Sequence, residues 1–478
     1  EDAKTNERTK LMSIGHEGRS TATTVLTYSV VKSLLDQNEQ IENQKLLSFT
    51  DNRQDAALQS GHFNDFIAAV RLRAAIYKAL LNAPSGLDST NITDHVFREL
   101  KLKESDYAKD ELCSRDPDFP ETENEKAIKQ YLLIRIFGDL KRGWRYTLPN
   151  LEQTALLEMD YQRLDKLVAL DDRFLGMQLF DTALPQKRRE ILLQLFNFFR
   201  TNFSVYHRIL DENIIETENF LRDRLDENKL WALEPNEKID RPTFMVAANP
   251  GRTRREVYAA SIGSRSGLGK YLQREFKAAN LSALDQDQFR VWIEALCDLL
   301  HDTGFLVQKD VQGANGTVRG YLLRSDKLIW KAGDSQNVLQ DQTRINAARP
   351  LNIKPNLFFK QLYQTDFESF HRELIGREHT GQLISEDRIK REDQFRSGKL
   401  AGLFCSPTME LGIDIKDLNI VHMRNVPPSP ANYAQRSGRA GRSGQTALVI
   451  TYCSAWSSHD QHYFNAAGKM VAGAVVAP

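Results

Sequence analysis

Short apolar runs, separated by stretches long enough for a helix, constrain the fold of this chain more than any other feature. Towards the C-terminal end they are residues 400–405 (LAGLFC), 418–423 (LNIVHM) and 447–453 (ALVITYC). Continuous apolar runs of this length are typical of strands buried on both faces of a parallel sheet. Functional groups in such a sheet lie in the loops beyond the strand ends. The pattern therefore predicts an α/β fold whose chemistry lies between the runs.

The segment between the second and third runs contains QRSGRAGR, a glycine-spaced arginine cluster at residues 435–442. Arginine stays charged and presents a planar fork that matches phosphate oxygens. Glycines let the backbone come close to such a partner. We interpret the cluster as an arginine-finger element that reaches a nucleotide from across an interface. A flexible solvated loop, or a non-specific nucleic-acid patch, is the simpler alternative for such a cluster standing alone.

The cluster and the segment before it resemble motifs VI and V of superfamily 2 helicases, in the second RecA-like domain. A threonine followed by Gly-x-Asp fits motif V, and Gln-x-x-Gly-Arg-x-Gly-Arg fits motif VI. The resemblance implies that two arginines contact the γ-phosphate of ATP and that the glutamine couples the nucleotide to the facing domain. The residues it assigns are Arg439, Arg442 and Gln435 for catalysis, and Gly412, Asp414, Gly438 and Gly441 for ATP binding.

The run at residues 45–49 (KLLSF) is followed by TDNRQDAA, a turn that opens a helix, and this segment resembles motif IV. Residues 377–400 resemble the strand, loop and helix that precede motif V. For Asp51 the alternative is a structural role as the N-cap of the helix. The resemblance implies contacts with the nucleic-acid backbone by Thr50, Asn52, Arg53, His379, Thr380, Ser406 and Thr408.

Similarity to very large bacterial DEAD/DEAH-type helicases extends over nearly the whole chain. The segments that carry it are SIGHEGRSTATTVL, LLSFTDNRQDAALQSGHFNDF, GWRYTLPNLEQTALLEMDY and REHTGQLISEDR. Such helicases are found in phage-defence systems such as DISARM and Druantia and among related DNA-repair enzymes. The resemblance implies a first RecA-like domain before this region and an accessory domain after it. In the first segment, Arg19, Ser20 and Thr21 either cap a helix or touch a phosphate.

The resulting fold expectation is a RecA-like parallel sheet with helices on both faces, interrupted by a large insertion. Residues 1–83 form its first part with motif IV, and residues 336–478 form its second part with motifs V and VI. Residues 84–284 form a mainly helical insertion, and residues 285–335 form a winged-helix-like module. In that module a helix and strand are followed by a GANG hairpin turn and the strand TVRGYLLRSDKLIW. Such modules either bind nucleic acid or act as inert braces, and three basic residues fall on the wing: Lys309, Arg319 and Arg324.

A complete nucleotide-hydrolysing motor also needs a Gly-x-x-x-x-Gly-Lys-Ser/Thr loop and a carboxylate for Mg²⁺. The nearest segment is GSRSGLGKY, whose spacing differs by one residue and whose Tyr271 replaces the required hydroxyl. We interpret it as a turn ahead of an amphipathic helix, and no DEAD or DEAH sequence occurs. We therefore expect one half of an ATP site, no metal ligands here, and no activity of this chain alone. Mg²⁺ would be held by the first RecA-like domain, supplied in cis or in trans.

Composition fits a soluble, cytoplasmic enzyme fragment. Lys and Arg together number 64, as do Asp and Glu, so attraction to nucleic acid must come from local patches. The four cysteines form no C-x-x-C pair, which argues against a zinc site or a disulfide framework. No apolar run approaches twenty residues, so we expect no membrane segment. The two ends of the chain look like cut points of a longer protein.

The preferred function is the motor half of an ATP-dependent DNA helicase or translocase in anti-phage defence or DNA repair, working with other defence-system subunits. Two alternatives stay open. One is an RNA helicase or remodeller, because motifs IV to VI contact the backbone and do not read the sugar decisively. The other is a regulatory module that binds nucleic acid and has no ATPase of its own. The sequence does not separate unwinding from translocation.

Overall fold

The computed structural model describes residues 17–111, 121–141, 149–254, 256–338, 340–344, 354–407, 418–441 and 447–473. The chain divides into two compact units. Unit 1 consists of residues 1–70 and 366–478, and unit 2 consists of residues 71–365. No helix in these described ranges is long and apolar enough to cross a membrane.

The α-helices of the described ranges are, in chain order, α1 (Glu17–Asp36), α2 (Arg53–Leu81), α3 (Ile92–Leu100), α4 (Glu123–Asp139), α5 (Leu164–Val168), α6 (Gln178–Asp181), α7 (Pro185–Thr201), α8 (Ile214–Arg224), α9 (Gly267–Ala278), α10 (Gln286–Asp302), α11 (Leu357–Tyr363), α12 (Ser385–Arg396), α13 (Pro430–Ser437), α14 (Ser458–Asn465) and α15 (Ala467–Val471). The strands are β1 (Leu46–Phe49), β2 (Leu87–Asp88), β3 (Leu157–Tyr161), β4 (Val205–Tyr206), β5 (Thr243–Val246), β6 (Tyr258–Ser261), β7 (Leu306–Gly313), β8 (Gly316–Arg324), β9 (Leu328–Ala332), β10 (Gly376–His379), β11 (Gly402–Cys405), β12 (Ile420–Met423) and β13 (Leu448–Thr451).

Unit 1 is built on a five-stranded sheet with the strand order β10-β11-β1-β12-β13. All neighbouring strands in it are parallel. The four apolar runs at residues 45–49, 400–405, 418–423 and 447–453 contain β1, β11, β12 and β13, respectively. This confirms the predicted α/β fold with a parallel sheet. It also places β1, the first of these strands in the chain, at the centre of the sheet.

Helices cover both faces of this sheet, as expected. Successive side chains of a strand point to opposite faces. On β1, Leu47 and Phe49 pack with Phe395 of α12, whereas Leu46 packs on the other face with Val30 and Leu34 of α1. The side chains of β1 are buried on both faces, which explains why this strand reads as a continuous apolar run.

Unit 2 contains two smaller sheets. One has the strand order β2-β9-β3, and the other joins β4, β8, β5 and β6, with β7 paired to β8. Helix α10 is followed by the antiparallel hairpin β7–β8, whose turn falls at Gly313–Gly316 as predicted. The prediction that TVRGYLLRSDKLIW forms a single strand is wrong. It breaks at residues 325–327, and β9 joins the other sheet, where it buries Trp330. The assignment of a winged-helix module stays a prediction.

The boundary of unit 2 differs from the one expected from the sequence, because residues 336–365 belong to it rather than to unit 1. Hydrogen bonds explain this placement. The hydroxyl of Tyr363 in α11 accepts from Arg73 Nη1 at 2.9 Å, and Lys360 Nζ donates to the carbonyl of Ser335 at 2.8 Å. Helix α11 is therefore anchored within unit 2.

Residues 263–266 form the turn that we expected in place of a phosphate loop. The Ser266 amide donates to the carbonyl of Gly263 at 2.9 Å. The Ser266 hydroxyl then accepts from the amide of Gly269 at 2.9 Å and caps α9. A serine N-cap explains why the helix begins at this point.

Candidate nucleotide and nucleic-acid site

The carboxyl ends of the five parallel strands of unit 1 lie in one row. The paired residues across the sheet are His379 with Cys405, Cys405 with Phe49, Phe49 with Met423, and Met423 with Thr451. Each strand therefore ends at the same level, and neighbouring ends are about 4.8 Å apart. The residues that follow the strands, in sheet order, are Thr380, Ser406, Thr50, Arg424 and Tyr452.

Three residues predicted to contact nucleic acid occupy neighbouring positions of this row: Thr380, Ser406 and Thr50. The Ser406 amide donates to the carbonyl of His379 at 3.2 Å. The Thr50 hydroxyl is fully buried and lies 2.8 Å from the carbonyl oxygen of Asn52 and 3.1 Å from that of Cys405. In this conformation the hydroxyl joins the ends of β1 and β11. Its contact with nucleic acid stays a prediction.

The turn after β1 is held by Asn52 rather than by Asp51. Helix α2 begins at Arg53, and Asn52 Oδ1 accepts from the amide of Asp55 at 2.8 Å. The side-chain amide nitrogen of Asn52 (Nδ2) in turn donates to Asp55 Oδ2 at 3.1 Å. The interpretation of Asp51 as the N-cap is therefore wrong by one residue. Asn52 and Arg53 are both exposed at the carboxyl edge of the sheet.

His379, at the end of β10, has no exposed side-chain surface. Its Nε2 lies 2.9 Å from Glu392 Oε1 on α12, and its buried Nδ1 has no hydrogen-bond partner among the described residues. Burial lowers the pKa of His379, although the hydrogen bond to Glu392 opposes the shift. In this conformation His379 joins β10 to α12, and a contact with nucleic acid stays a prediction.

The described part of motif VI forms a helix end and a turn beside the row. Gln435 is exposed in the last turn of α13, Gly438 caps that helix, and Arg439 follows it. The Gly441 amide donates to the carbonyl of Leu418 at 3.0 Å, just before β12. Gly441 has a φ of +72°, a left-handed conformation that favours glycine.

Arg439 lies within electrostatic reach of the end of β11. Burial and the Glu392 carboxylate raise the pKa of the Cys405 thiol, and the positive charge of Arg439 opposes them. Four of the predicted residues lie outside the described residues: Thr408, Gly412, Asp414 and Arg442.

A second group of arginines, outside the helicase motifs, surrounds the ends of β1 and β12. Arg424 forms an ion pair of 3.0 Å with Asp55 and donates to the Ser20 hydroxyl at 3.1 Å. Arg19 donates to the side-chain carbonyl of Asn425 at 2.8 Å. Desolvation raises the pKa of the Asp51 carboxyl, and the charges of Arg19, Arg436 and Arg424 oppose this shift.

In the first segment, Arg19 and Ser20 contact residues after β12, and whether this segment caps a helix or touches a phosphate stays a prediction. One signal in the sequence would have identified Arg424, because it directly follows the apolar run at residues 418–423 and so falls at a strand's carboxyl end. Among the described residues, no three His, Cys, Asp or Glu side chains form a group that could hold a metal ion.

Comparison with known proteins agrees with this architecture. Residues 357–444 match the family model of the helicase conserved C-terminal domain. The Druantia protein DruE of Escherichia coli is 45% identical over 140 residues, which is 29% of this chain and 7% of that protein. The Lhr helicase/probable uracil glycosylase of Mycolicibacterium smegmatis is 40% identical over 67 residues, or 14% of this chain and 4% of that protein. The chain thus covers a small part of either relative.

Other relatives, 34 to 38% identical over 74 to 103 residues, are named as ATP-dependent RNA helicases. Among solved structures, the DUF1998 helicase MrfA bound to DNA and AMPPNP is 28% identical to this chain. That match covers 20% of this chain and 13% of the other, with a TM-score of 0.19.

The matched domain and the sequence relatives confirm the recognition made from the motifs. The chain carries the C-terminal, second RecA-like region of a superfamily 2 helicase. Within that class, the similarity to the Druantia protein and to the Lhr helicase supports the large phage-defence and DNA-repair type that the whole-chain resemblance indicated.

Proposed function

We propose that this chain is the C-terminal motor half of an ATP-dependent DNA helicase or translocase, a cytoplasmic enzyme of anti-phage defence or DNA repair. The observation that carries the proposal is the row of strand ends in unit 1. It brings Thr380, Ser406 and Thr50 to neighbouring positions at one edge of a parallel sheet. Ligands of open α/β sheets bind at this edge.

Motif VI would supply the nucleotide contacts. Arg439 and Arg442 act as arginine fingers on the γ-phosphate, and Gln435 couples the nucleotide to the facing domain. The charges of Arg19, Arg424 and Arg436 act on Asp51 after β1, so this edge of the sheet has a positive field, which favours a polyphosphate. ATP supplies a phosphoanhydride bond whose hydrolysis drives the motor, with Mg²⁺ as counter-ion. Mg²⁺ and the phosphate-cradling loop come from a first RecA-like domain, in cis or in trans.

The ATP-binding set is completed by the glycines and the aspartate of motifs V and VI: Gly412, Asp414, Gly438 and Gly441. Gly438 and Gly441 form the turn that carries Arg439. This turn is also hydrogen-bonded to Leu418, before β12. A fixed turn holds the backbone of Arg439 in place, so its side chain starts from a preorganised position, as transition-state charge stabilisation requires.

Nucleic acid would lie along the ends of β10, β11 and β1. The exposed Asn52 and Arg53, at the start of α2, are the residues best placed to contact phosphates directly. The buried Thr50 and His379 would hold the strand ends in position, and Thr380, Ser406 and Thr408 complete the set. Opening and closing of the ATP cleft would move these contacts along one strand.

The central test replaces one arginine finger in the full-length protein. In Arg439→Ala we expect nucleic-acid-stimulated ATP hydrolysis to fall by about 10³- to 10⁵-fold, because transition-state charge is no longer stabilised. Binding of a fluorescent ATP analogue should largely survive. The matched control is Arg98→Ala, which removes an exposed arginine on α3 of unit 2 whose Nε donates to the carbonyl of Asp94 in the same helix. If Arg439→Ala hydrolyses ATP at the rate of the wild type, the proposal is wrong.

The RNA alternative is kept because several relatives are named as RNA helicases. Strand displacement by the full-length protein on DNA and RNA duplexes of identical sequence separates the two. We expect faster displacement of DNA. Faster displacement of RNA would transfer the same motor mechanism to an RNA substrate.

A further inference from the structure

The β7–β8 hairpin carries the three basic residues of the predicted wing, and each of them forms an ion pair within unit 2. Lys309 forms an ion pair with Asp211, and Arg319 contacts Asp298 at 2.6 Å. Arg324 contacts Asp326 at 2.8 Å. Because each charge already faces a carboxylate, these residues offer little net attraction to a polyanion.

A different basic segment is fixed to the tip of this hairpin. Residues 250–254 (PGRTR), which we call the arginine loop, pair with the hairpin turn. The amide of Ala314 donates to the carbonyl of Arg252 at 3.0 Å, and that of Asn315 donates to the carbonyl of Pro250 at 2.9 Å. Thr253 forms an antiparallel bridge with Gly313.

The packing between the arginine loop and the hairpin leaves no room for adjustment. A Cβ atom at Gly313 would lie 2.2 Å from the carbonyl oxygen of Pro250. Gly251 has a φ of +74°, and a Cβ there would lie 2.9 Å from the side chain of Asn315. The hairpin tip and the arginine loop are therefore packed closely against each other.

Arg252 and Arg254 of the arginine loop are both exposed. Neither guanidinium has an ion pair or a side-chain hydrogen bond with any residue that the structure describes. The nearest acidic residue in the chain, Glu256, is already paired with Lys238 at 3.4 Å and with Arg241 at 3.6 Å. Asp310 is the remaining carboxylate of the groove of about 330 Å³ that Arg254 also lines.

The spacing of the two arginines suits a strand of regularly spaced charges. Thr253 turns its hydroxyl to the carbonyl of Val257 at 2.7 Å. Arg252 and Arg254 lie on either side of Thr253 in the chain, and both side chains are exposed. Two guanidinium groups so placed can bind successive phosphates, each with its planar fork.

We propose that Arg252 and Arg254 of the arginine loop bind the phosphodiester backbone of a nucleic-acid strand. This is a second contact, in unit 2, which the helicase motifs do not include. It rests on the proposed function only for the source of the strand, which is the one that the motor handles. The chain has no net charge, so a nucleic-acid strand would be attracted by local positive patches such as this one rather than by the chain as a whole.

The test measures the salt dependence of binding by the 478-residue chain. The probe is a fluorescein-labelled oligothymidylate, and affinity is followed by fluorescence anisotropy between about 50 and 200 mM salt. In the double variant Arg252→Gln/Arg254→Gln we expect the slope of log K against log salt to become shallower by about 1.4, since each lost phosphate contact on a single strand contributes about 0.7. With a duplex probe, for which each lost contact contributes about 0.9, the slope should become shallower by about 1.8.

The matched control is Arg173→Gln/Arg290→Gln, which removes two exposed positive charges elsewhere in unit 2. Its slope should equal that of the wild type. An unchanged slope in the arginine-loop variant overturns the proposal, as does the absence of measurable binding by the wild type. Loss of binding to polyglutamate, with unchanged binding to the oligonucleotide, also overturns it and indicates an acidic protein partner.

The two proposals fail separately. If the motor assignment is wrong, Arg439→Ala keeps its ATPase while the arginine-loop variant still shows the shallower slope. If the arginine-loop assignment is wrong, Arg252→Gln/Arg254→Gln binds normally while Arg439→Ala loses hydrolysis.

Discussion

His422 is buried inside the parallel sheet, where a positive charge on its ring would not be solvated by water. It is 1% exposed on β12, and its Nδ1 lies 2.9 Å from the Ser48 hydroxyl on β1. Burial, with a smaller contribution from the charge of Arg424, lowers the pKa of His422 to about 4. His62, bonded to Thr24 of α1, has its pKa lowered to about 4 by burial as well. Both histidines are therefore neutral in the folded chain near neutral pH.

Acidification should destabilise unit 1 through these residues. Between pH 6.5 and pH 4 the unfolded chain takes up a proton at His422 that the folded chain does not, so stability falls as the pH falls. From pH 6.5 to pH 5 we expect a loss of about 2 kcal/mol from His422. Thermal unfolding followed by circular dichroism should show a smaller pH dependence in His422→Gln. His301→Gln, at an exposed position, serves as control, and an equal pH dependence in all three proteins contradicts the argument.

At the scale of single elements, the start of α2 sets the geometry of the turn after β1. Asn52 both accepts from and donates to Asp55, and Asp55 also pairs with Arg424. The cap is thus joined to the residue that follows β12. A change at Asn52 should affect both the helix and the strand ends.

Replacement of this cap should cost stability in a predictable way. We expect Asn52→Ala to lower the free energy of unfolding by about 1 kcal/mol, because a helix amide loses its acceptor. Asp51→Ala is the matched control, one residue earlier and outside the helix, and it should leave the helix cap intact. Urea unfolding of both variants measures the difference. A larger loss in Asp51→Ala would restore Asp51 as the cap.

The elements of unit 1 were predictable because their signals are local. The strands at residues 45–49, 400–405, 418–423 and 447–453 show themselves as apolar runs, and the motif turns follow them directly. The pairing of charges was not predictable, because partners are distant in the chain. Arg424 and Ser20 are 404 positions apart, and Lys309 and Asp211 are 98 apart. A sequence shows that Lys309 is charged but not that its charge is neutralised.

At the scale of the whole molecule, the proposed ATP site needs residues from another domain. Motif VI contributes Arg439 and Gln435, and the phosphate loop and Mg²⁺ carboxylates would come from a first RecA-like domain. We therefore expect the 478-residue chain alone to show no ATP hydrolysis, because charge stabilisation without a bound Mg²⁺–nucleotide complex cannot accelerate the reaction.

The expected lack of ATP hydrolysis is tested by measuring phosphate release by the purified chain and by its Arg439→Ala variant. Equal background rates are expected, and addition of a first RecA-like domain should raise only the wild-type rate. Turnover by the chain alone that Arg439→Ala abolishes would contradict the half-site.

The central position of β1 has a consequence for synthesis. Thr50 bonds to Cys405, 355 positions further along the chain. At about 5 to 20 residues per second, the ribosome needs on the order of 20 to 70 seconds to make that interval. During this time β1 has neither of its neighbouring strands, and unit 2, residues 71–365, is completed before them. The central strand of unit 1 thus remains an unpaired apolar segment during synthesis, and such segments are prone to aggregation unless a chaperone covers them.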